Sequence, residues 1–449
     1  MNLSLAEALR MNSSSSIALI GAGGKTTAMF QLARSLSKDE SSAPVILTAT
    51  SHLGMWQVGL ADQHIITETP GPIEKIEHGL RGVILITGEL DGDRTKPING
   101  NLMNWLQQFC GYHSIPLLVE ADGSRGKPLK AWAEYEPPIP SFVECVIQVA
   151  GLTGLGKSLN GENVHRPEIF SGLSGLSIGE AITADSLVRV LTHGESGLKN
   201  VPAKARKVVL LNQADTHELQ STAQGLAQAL VPTYDSVIIA SLKQEEIFAV
   251  HEPIAGIILA AGASSRFGSP KQLLDWKGQP FVHAVAKTAL EAGLSPVLVI
   301  IGANAEEVEF AIKDLNVMIV KNEDWETGQG SSIRTGIQAL TLGHSKIGGT
   351  IFLLTDQPQV TTSILRALAE KHAAGLYPIV APMVIDRRAN PVLFDRATFS
   401  DLMMLEGDVG GRAIFHKHRV EYLPWHDDRL LLDVDTPDMY QRLISDESL

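Results

Sequence analysis

The sharpest chemical pattern in the chain is a glycine-bearing loop with two spaced cations, LAAGASSRFGSPKQLL at residues 259–274. The cations are Arg266 and Lys271, and the apolar run IIL leads into the loop. Backbone N–H groups of such a loop can lie along a triphosphate while the cations offset its charge. The Gly-Lys-Ser/Thr of an ATPase loop is absent, which favours attack at the α-phosphate with pyrophosphate leaving. The alternative is a basic turn between a strand and a helix.

A second segment of small residues, GQGSSIRTG at 328–336, precedes a predicted helix and suits contact with a base or a ribose. We expect Arg266 and Lys271 to be catalytic as well as nucleotide-binding. The other residues predicted to bind this nucleotide are Leu259, Ala260, Ala261, Gly262, Gly328, Gln329, Gly330 and Ser331.

Acidic residues downstream of the loop could hold Mg²⁺, which prefers carboxylate and phosphate oxygens. Asp356 ends the strand TIFLL, and Asp433 and Asp435 lie in LLLDVDTPD at 430–438. The ion would polarise the α-phosphate and hold the leaving pyrophosphate. We predict Asp356 and Asp435 as catalytic metal ligands. Asp433 stays open as a rival, because alternation along a strand would point both acids to one face.

Arginines in two later segments, RRANPVLFD at 387–395 and EGDVGGR at 406–412, suit an anionic, heteroatom-rich acceptor such as a pterin phosphate. The alternative is surface loops with ordinary charges. The predicted acceptor-binding residues are Arg388, Asn390, Pro391, Asp408, Gly411 and Arg412.

The N-terminal half has a shorter phosphate-loop pattern, GAGGKTT at 21–27, between a strand and a helix. Leu19 stands where the standard motif needs its first glycine. A glycine turn that only caps the helix is the alternative. The predicted phosphate-binding residues are Gly21, Gly23, Gly24, Lys25, Thr26 and Thr27, with Thr26, Glu120 and Asp122 as metal ligands and ATP or GTP as the nucleotide.

Two further patterns in this half are weaker. NQAD at 212–215 has the Asn-x-x-Asp shape with which some GTPases hold guanine, although an ordinary strand end is the more economical interpretation. His165 beside Arg166 suits a turn or an anion contact better than a metal.

The elements that must position these residues alternate between apolar strands and helix-period segments along the whole chain. Continuous apolar strands indicate parallel sheets buried on both faces. The pattern restarts near residue 254, so we predict two α/β domains, each a doubly wound and mostly parallel sheet: 1–250, which is P-loop-like, and 251–449, which is Rossmann-like. We expect the boundary in the charged segment 243–253.

Composition excludes several classes of protein. The 44% hydrophobic and 19% charged content is that of a chain with a sizeable core. The net charge of −13 argues against a phosphate-neutralising face, so no nucleic-acid partner is expected. Only Cys110 and Cys145 are present, and no apolar run reaches the roughly 18–20 residues that span a bilayer. With no secretory signal pattern at the N-terminus, we expect a cytoplasmic protein that does not bind membranes.

The N-terminal motifs GAGGKTT, VEADGSRGKPLKAW, EYEPPIP, NVHRPE and LNQAD resemble the YqeC-like accessory family of selenium-dependent molybdenum hydroxylases, over residues 10–245. The resemblance implies a role in hydroxylase maturation, with the hydroxylase apoenzyme as a partner. The short loop is also similar to that of Mur ligases, by analogy only.

The C-terminal motifs LAAGASSRFGSPKQLL, GQGSSIRTG, TDQP, NPVLF, EGDVGGR and DVDTPD resemble the molybdenum cofactor cytidylyltransferases of the MobA-like superfamily, over residues 254–440. The resemblance implies an enzyme that uses Mg²⁺, CTP and molybdopterin to give molybdopterin cytosine dinucleotide and pyrophosphate. Ala261 stands where guanylyltransferases usually have a second glycine, which favours CTP over GTP. Ala389 departs from the glycine common in relatives. Rival functions are transfer to another acceptor, GTP-dependent guanylyl transfer, and a cofactor carrier with little turnover.

Overall fold

The computed structural model divides the chain into two units, Met1–His251 and Glu252–Leu449. It describes residues 3–11, 15–37, 44–75, 79–264, 267–343 and 346–445. The division falls inside the predicted boundary segment 243–253, although most of that segment is a strand rather than a linker. Within the described ranges, no helix has the length and apolar character needed to cross a membrane.

In the described part of the first unit, helices α1 to α8 are Leu5–Ala8, Lys25–Leu36, Met55–Val58, Gly71–Glu74, Gly100–His113, Pro167–Ser174, Ala184–Thr192 and His217–Leu230. Strands β1 to β14 are Ser16–Gly21, Val45–Ala49, Leu53–Gly54, Gln63–Ile66, Val83–Thr87, Leu90–Asp91, Arg94–Thr95, Leu117–Glu120, Leu129–Lys130, Cys145–Gly151, Val164–His165, Arg206–Asn212, Ser236–Ser241 and Glu246–His251.

Nine of the described strands form the central sheet of this unit, in the order β14-β13-β12-β10-β1-β8-β2-β5-β4. All neighbouring pairs are parallel except β13 with β14. The chain builds one side of the sheet after β1 and the other side after β8. Ligands of doubly wound sheets bind where the strand order reverses in this way. The reversal therefore places the loop after β1 beside the carboxyl ends of β8 and β10.

In the described part of the second unit, strands β15 to β24 are Ile254–Ala260, Asp275–Trp276, Gln279–Pro280, Val297–Ile301, Met318–Lys321, Gly349–Leu354, Ile379–Val384, Arg387–Arg388, Val392–Asp395 and Val420–Pro424. Helices α9 to α14 are Phe281–Glu291, Ala305–Ala311, Gln329–Gly343, Thr362–Ala373, Phe399–Leu402 and Pro437–Ser445.

Eight of these strands form a mixed sheet in the order β19-β18-β15-β20-β23-β21-β22, with β24 pairing β21. Strand β23 is antiparallel to both β20 and β21, so the sheet is less uniformly parallel than the sequence rhythm predicts. The change of chain direction begins with a tight hairpin between β21 and β22. Its turn residues Ile385 and Asp386 have φ of 45° and 62°. Two successive positive φ values are the geometry of a hairpin turn that follows strand twist.

Both faces of this sheet are covered by helices, which explains the continuous apolar strands. Successive residues of β15 point to opposite faces, so Ile258 packs in one core with residues of α9 and α12, and Ile257 packs in the other with residues of α11. Strands β15 and β20 are parallel and paired up to Leu259 and Leu354, and the candidate site lies at the carboxyl ends of these strands.

Asp433 and Asp435 do not lie on a strand, so the alternation invoked for them does not apply. Asp428–Leu431 is a 3-10 helix, and the chain then runs without strand pairing to α14, which begins at Pro437. Proline fixes φ and suits the first turn of a helix rather than a paired strand. Alternation along a strand therefore cannot decide between Asp433 and Asp435.

Candidate active site

A buried glutamine holds the loop that follows β15. Gln272 is 2% exposed, and its Nε2 donates to the carbonyl oxygens of Ala260, at 3.1 Å, and Gly262, at 2.5 Å. Ser264 Oγ accepts from the Lys271 N–H at 3.1 Å and donates to Gln272 Oε1 at 3.3 Å. These bonds tie residues 260–264 to residues 271–272. Sequence reasoning missed Gln272, because a glutamine in a motif has no feature that shows where its amide will point.

The predicted cation and two predicted acids of this site lie together. Lys271 Nζ is 2.7 Å from Asp435 Oδ1 and 3.6 Å from Asp356 Oδ2. Arg266, the other predicted cation, lies outside the described residues. Burial raises the pKa of Asp356 to about 6; Lys271 opposes the rise, and Asp433 and Asp435 add to it.

The two acids near the chain end have different partners. Asp433 Oδ1 accepts from Gln357 Nε2 at 2.6 Å, and burial raises the pKa of Asp433. Asp435 contacts Lys271 instead. This difference favours Asp435 as the partner of Asp356, and the assignment stays a prediction.

The carboxylates suit a divalent cation only with additional ligands. Among the described residues, no three His, Cys, Asp or Glu side chains form a group that could hold a metal ion. Asp356 Oδ1 is buried and has no hydrogen-bond partner in the described structure, so this oxygen is available to a cation. Two carboxylates completed by water and phosphate oxygens fit Mg²⁺, which keeps several waters and favours substrate phosphates.

The start of α11 packs directly on the 405–411 loop. Gly328 has φ +109°, and a Cβ there would lie 2.4 Å from the carbonyl carbon of Gly407. The Gly330 N–H donates to the Gly407 oxygen at 3.0 Å, and the Gln329 N–H to Asp408 Oδ1 at 3.4 Å. The predicted nucleotide segment and the predicted acceptor segment therefore form one surface.

Ser331 lies below that surface. It is 2% exposed, accepts from Asn322 Nδ2 at 2.8 Å and donates to the Gly328 oxygen at 2.8 Å. Its hydroxyl positions the helix start, and its predicted contact with the nucleotide stays a prediction.

Two adjoining cavities connect these residues. The first, about 580 Å³, is lined by Ala261, Gly262, Lys271 and Asp356, together with Gly328 and Asp408. The second, about 230 Å³, is lined by Asn390, Gly411 and Arg412. Both include Leu259, Gln329 and Leu354 in their walls. Of the remaining predicted contacts, Ala260 and Pro391 are buried.

A basic hollow of about 530 Å³ continues from Arg412. Arg387, Arg388 and Tyr422 also line it. The Arg388 guanidinium lies over the ring of Phe415 at 5.7 Å. Three of the predicted acceptor residues, Asn390, Gly411 and Arg412, thus line the second cavity, and Arg388 lines the hollow beside it.

In the first unit the glycines of the short loop are required by close backbone contacts. A Cβ at Gly21 would lie 2.2 Å from the Val149 oxygen, and one at Gly23 would lie 2.4 Å from the Gly151 Cα. The Ala22 and Gly23 N–H groups donate to the Val149 and Lys127 oxygens, which leaves the helix start as the place for an anion. Gly24 precedes α2, and no side chain caps that helix.

Thr26 and Glu120, two of the predicted metal ligands of this unit, are in contact. Thr26 Oγ1 donates to Glu120 Oε2 at 3.1 Å and accepts from Gln57 Nε2 at 2.5 Å. Burial raises the pKa of Glu120, and the Lys25 charge opposes the rise. A hydroxyl and a carboxylate at a helix start can hold Mg²⁺ beside phosphate oxygens. Thr27 is exposed on the next position of the helix.

Asp122 has different surroundings, although it was predicted for the same role. Its Oδ2 accepts from the Gly21 N–H at 3.1 Å, from Trp132 Nε1 at 2.6 Å and from Lys130 Nζ at 3.0 Å. Lys25 Nζ lies 3.2 Å from Oδ1. Asp122 therefore holds the loop and two buried lysines together in this structure, and its metal role stays a prediction.

The weaker patterns of this unit have structural partners. Asn212 Nδ2 donates to the Gly23 oxygen at 2.7 Å, and its Oδ1 accepts from the Leu242 N–H at 3.0 Å, so Asn212 supports the loop from behind. Burial and, after it, the charges of Arg166 and Lys130 together lower the pKa of His165 to about 4. The lowered pKa favours the neutral imidazole, and the expected anion contact stays a prediction.

Fold and site together define the second unit as a doubly wound α/β domain with a nucleotide-sized cleft at its carboxyl edge. Residues 256–422 match the family described as MobA-like NTP transferase domain, and residues 17–168 match the family described as YqeC protein. The chain belongs to the YqeC family through its first unit and carries a MobA-like NTP transferase domain in its second.

Three relatives illustrate the two matches. "Uncharacterized protein YqeC" of Escherichia coli is 32% identical over 48% of this chain and 82% of its own length. "Nicotine blue oxidoreductase" of Paenarthrobacter nicotinovorans is 31% identical over 42% of this chain and 96% of its own length. "Probable molybdenum cofactor guanylyltransferase" of Bacillus mycoides is 30% identical over 31% of this chain and 66% of its own length. The chain is therefore a nucleotidyltransferase of the MobA type joined to a YqeC domain.

Proposed function

We propose that the second unit transfers CMP from CTP to molybdopterin, giving molybdopterin cytosine dinucleotide and pyrophosphate. The observation that carries the proposal is the pair of adjoining cavities. One holds the glycine loop, Lys271 and Asp356, and the other holds Asn390 and Arg412. A nucleotide in the first and an anionic acceptor in the second would meet at their common wall.

The chemistry needs positioning more than acid–base assistance. The terminal phosphate of molybdopterin is already ionised, so one of its oxygens can attack the α-phosphorus of CTP directly. The new bond joins that oxygen to the α-phosphorus, while the bond from the α-phosphorus to the bridging oxygen breaks and its electron pair leaves with pyrophosphate. The loop N–H groups, Arg266 and Lys271 would hold the triphosphate in line.

Asp356 and Asp435 would hold Mg²⁺, with the buried free oxygen of Asp356 as the supporting observation. When bound, the ion would neutralise charge on the α-phosphate and the leaving pyrophosphate. Arg412 and Arg388 would bind anionic groups of the pterin acceptor, for which guanidinium donors suit phosphate.

The choice of CTP rests on Ala261. Ala261 lines the nucleotide cavity at a position where guanylyltransferases usually have a glycine, and its methyl group would restrict the larger guanine base. One relative is named as a guanylyltransferase, so GTP is the main alternative nucleotide.

For the first unit we propose binding of ATP or GTP at the start of α2. The supporting observations are the uncapped helix start and the contact between Thr26 and Glu120. We further propose that this unit serves maturation of a molybdenum hydroxylase and meets its apoenzyme. The YqeC match supplies the context for that role.

The test is pyrophosphate release by the full chain with Mg²⁺ and molybdenum-loaded molybdopterin, run separately with CTP, GTP and ATP. We expect release with CTP at a rate about tenfold or more above GTP, since one small group in a pocket gives selectivity of that order. Pyrophosphate release with GTP alone would show that the second unit is a guanylyltransferase rather than a cytidylyltransferase. No release with any nucleotide, from folded protein and intact pterin, would favour another acceptor or a carrier.

A further inference from the structure

The Lys271 ammonium lies between the two carboxylates proposed to hold the metal ion. Its distances are 2.7 Å to Asp435 Oδ1 and 3.6 Å to Asp356 Oδ2. The Lys271 side chain is 14% exposed, that of Asp356 is 25% exposed and that of Asp435 is 60% exposed, so water screens the contact with Asp356 only partly and the contact with Asp435 more strongly. Among the described residues, Lys271 is the cation that contacts both acids.

An ammonium and a divalent cation cannot both occupy this position. Mg²⁺ needs oxygens at about 2.0–2.1 Å, so an ion shared by Asp356 and Asp435 would lie within a few ångströms of Nζ. Two cations at that separation repel strongly in a partly buried site. The metal ion can bind both acids only after the lysine moves.

A triphosphate gives the lysine another partner. Lys271 lines the same cavity as the loop residues Ala261 to Ser264, where the phosphates are proposed to lie. Its flexible four-carbon stem allows the ammonium to move from the acids to a phosphate oxygen. With a triphosphate bound, Lys271 would pair with a phosphate oxygen, and Asp356 and Asp435 would be available to the metal ion.

We infer that Lys271 couples the two ligands, so that the metal ion binds Asp356 and Asp435 well only when a nucleotide is present. This inference rests on the proposed function, because it places a nucleoside triphosphate in this cavity. Coupling of this kind is reciprocal, so the metal ion must also strengthen nucleotide binding.

The experiment measures binding of Mn²⁺ alone to the full chain, by electron paramagnetic resonance, with no nucleotide present. The variants are Lys271→Met, which removes the charge at similar length, and Lys271→Arg, which keeps it. Asp356→Asn in each background identifies the fraction of binding that belongs to this site, since the first unit has acids of its own. Circular dichroism checks that each variant is folded.

We expect Lys271→Met to tighten Mn²⁺ binding at the Asp356-dependent site by about fivefold or more, while Lys271→Arg stays within about twofold of the native chain. Equal or weaker Mn²⁺ binding by folded Lys271→Met would overturn the inference. So would a gain that persists with Asp356→Asn. Because no nucleotide is present, a failure of CTP transfer leaves this result intact, and the two failures are distinguishable.

Discussion

At the scale of single residues, the chemistry depends on side chains whose partners come from distant parts of the chain. The types and spacing of Lys271 and Asp356 are readable in the sequence, and the structure brings them together. Gln272 and Asn212 are equally specific in their contacts, yet their role is support of a loop through backbone atoms. Such bonds form only after the strands align, so no motif indicates them.

Gln272→Leu is expected to lower kcat/KM for the nucleotide by about tenfold to a hundredfold, because the loop carbonyls of Ala260 and Gly262 lose their donors and the loop shifts. The buried carbonyls also lose hydrogen bonds, which lowers the free energy of unfolding by about 1–3 kcal/mol. Steady-state kinetics and denaturant unfolding measure both. Gln338→Leu, at an exposed position of α11, is the matched control. A stability loss with unchanged kinetics would mean that Gln272 does not position the loop.

His165→Gln tests the electrostatics of the first unit. The pKa of His165 is lowered to about 4 by burial and then by its cationic neighbours, against a usual value of 6.5. The folded protein thus binds a proton less readily than the unfolded chain, and the stability from neutral His165 is present above about pH 6.5 and is lost as the pH falls toward 4. Acidification should therefore destabilise the native chain more than the variant, in paired unfolding curves. Equal losses would contradict the assignment.

At the scale of elements, continuous apolar runs indicate the central strands, because strands buried on both faces must be continuously apolar. Two edge strands of the first sheet give a weaker signal: β4 has only four residues, and β14 has an apolar run of four residues inside the charged segment 243–253. The direction of β23 depends on a hairpin turn and pairing partners, and the local pattern of VLFD carries neither. For the same reason, the local pattern around Asp433 and Asp435 does not show that these residues lie outside any strand.

Gly328→Ala tests the contact between α11 and the 405–411 loop. A Cβ there meets the backbone of Gly407 at 2.4 Å, and φ is +109°, so we expect a loss of about 1–3 kcal/mol in stability and weaker nucleotide binding. Gly343→Ala at the other end of α11 meets nothing within 4 Å and should be neutral or slightly stabilising. Thermal unfolding and nucleotide titration compare the two. Equal unfolding temperatures and equal nucleotide affinities for the two variants would show that the contact between Gly328 and Gly407 contributes to neither stability nor binding.

At the scale of the whole molecule, the chain joins two sheets that each place polar residues at the carboxyl ends of their strands. The composition and rhythm of the sequence predict two α/β units, and the family matches assign each a separate relative.

Thr26→Ala is expected to leave pyrophosphate release by the second unit within about twofold of the native rate, as separate sites are usually additive. It should weaken nucleotide binding at the first unit, because Glu120 loses its hydroxyl partner. Lys25 is less suitable for this test, since it is buried against Asp122. A large loss of release in folded Thr26→Ala protein would show that the units are coupled.

The most direct test of nucleotidyl transfer at the cleft is the rate of pyrophosphate release by Asp356→Asn, with Mg²⁺, CTP and molybdopterin. Glu291→Gln, at an exposed position of α9 outside both cavities, is the matched control. Asp356 is proposed to hold the Mg²⁺ that would neutralise charge on the reacting phosphate. Loss of this carboxylate should therefore reduce the rate to about a tenth or less, with the fold intact and the control unchanged. A folded Asp356→Asn protein that keeps more than about a tenth of the native rate would contradict transfer at this site.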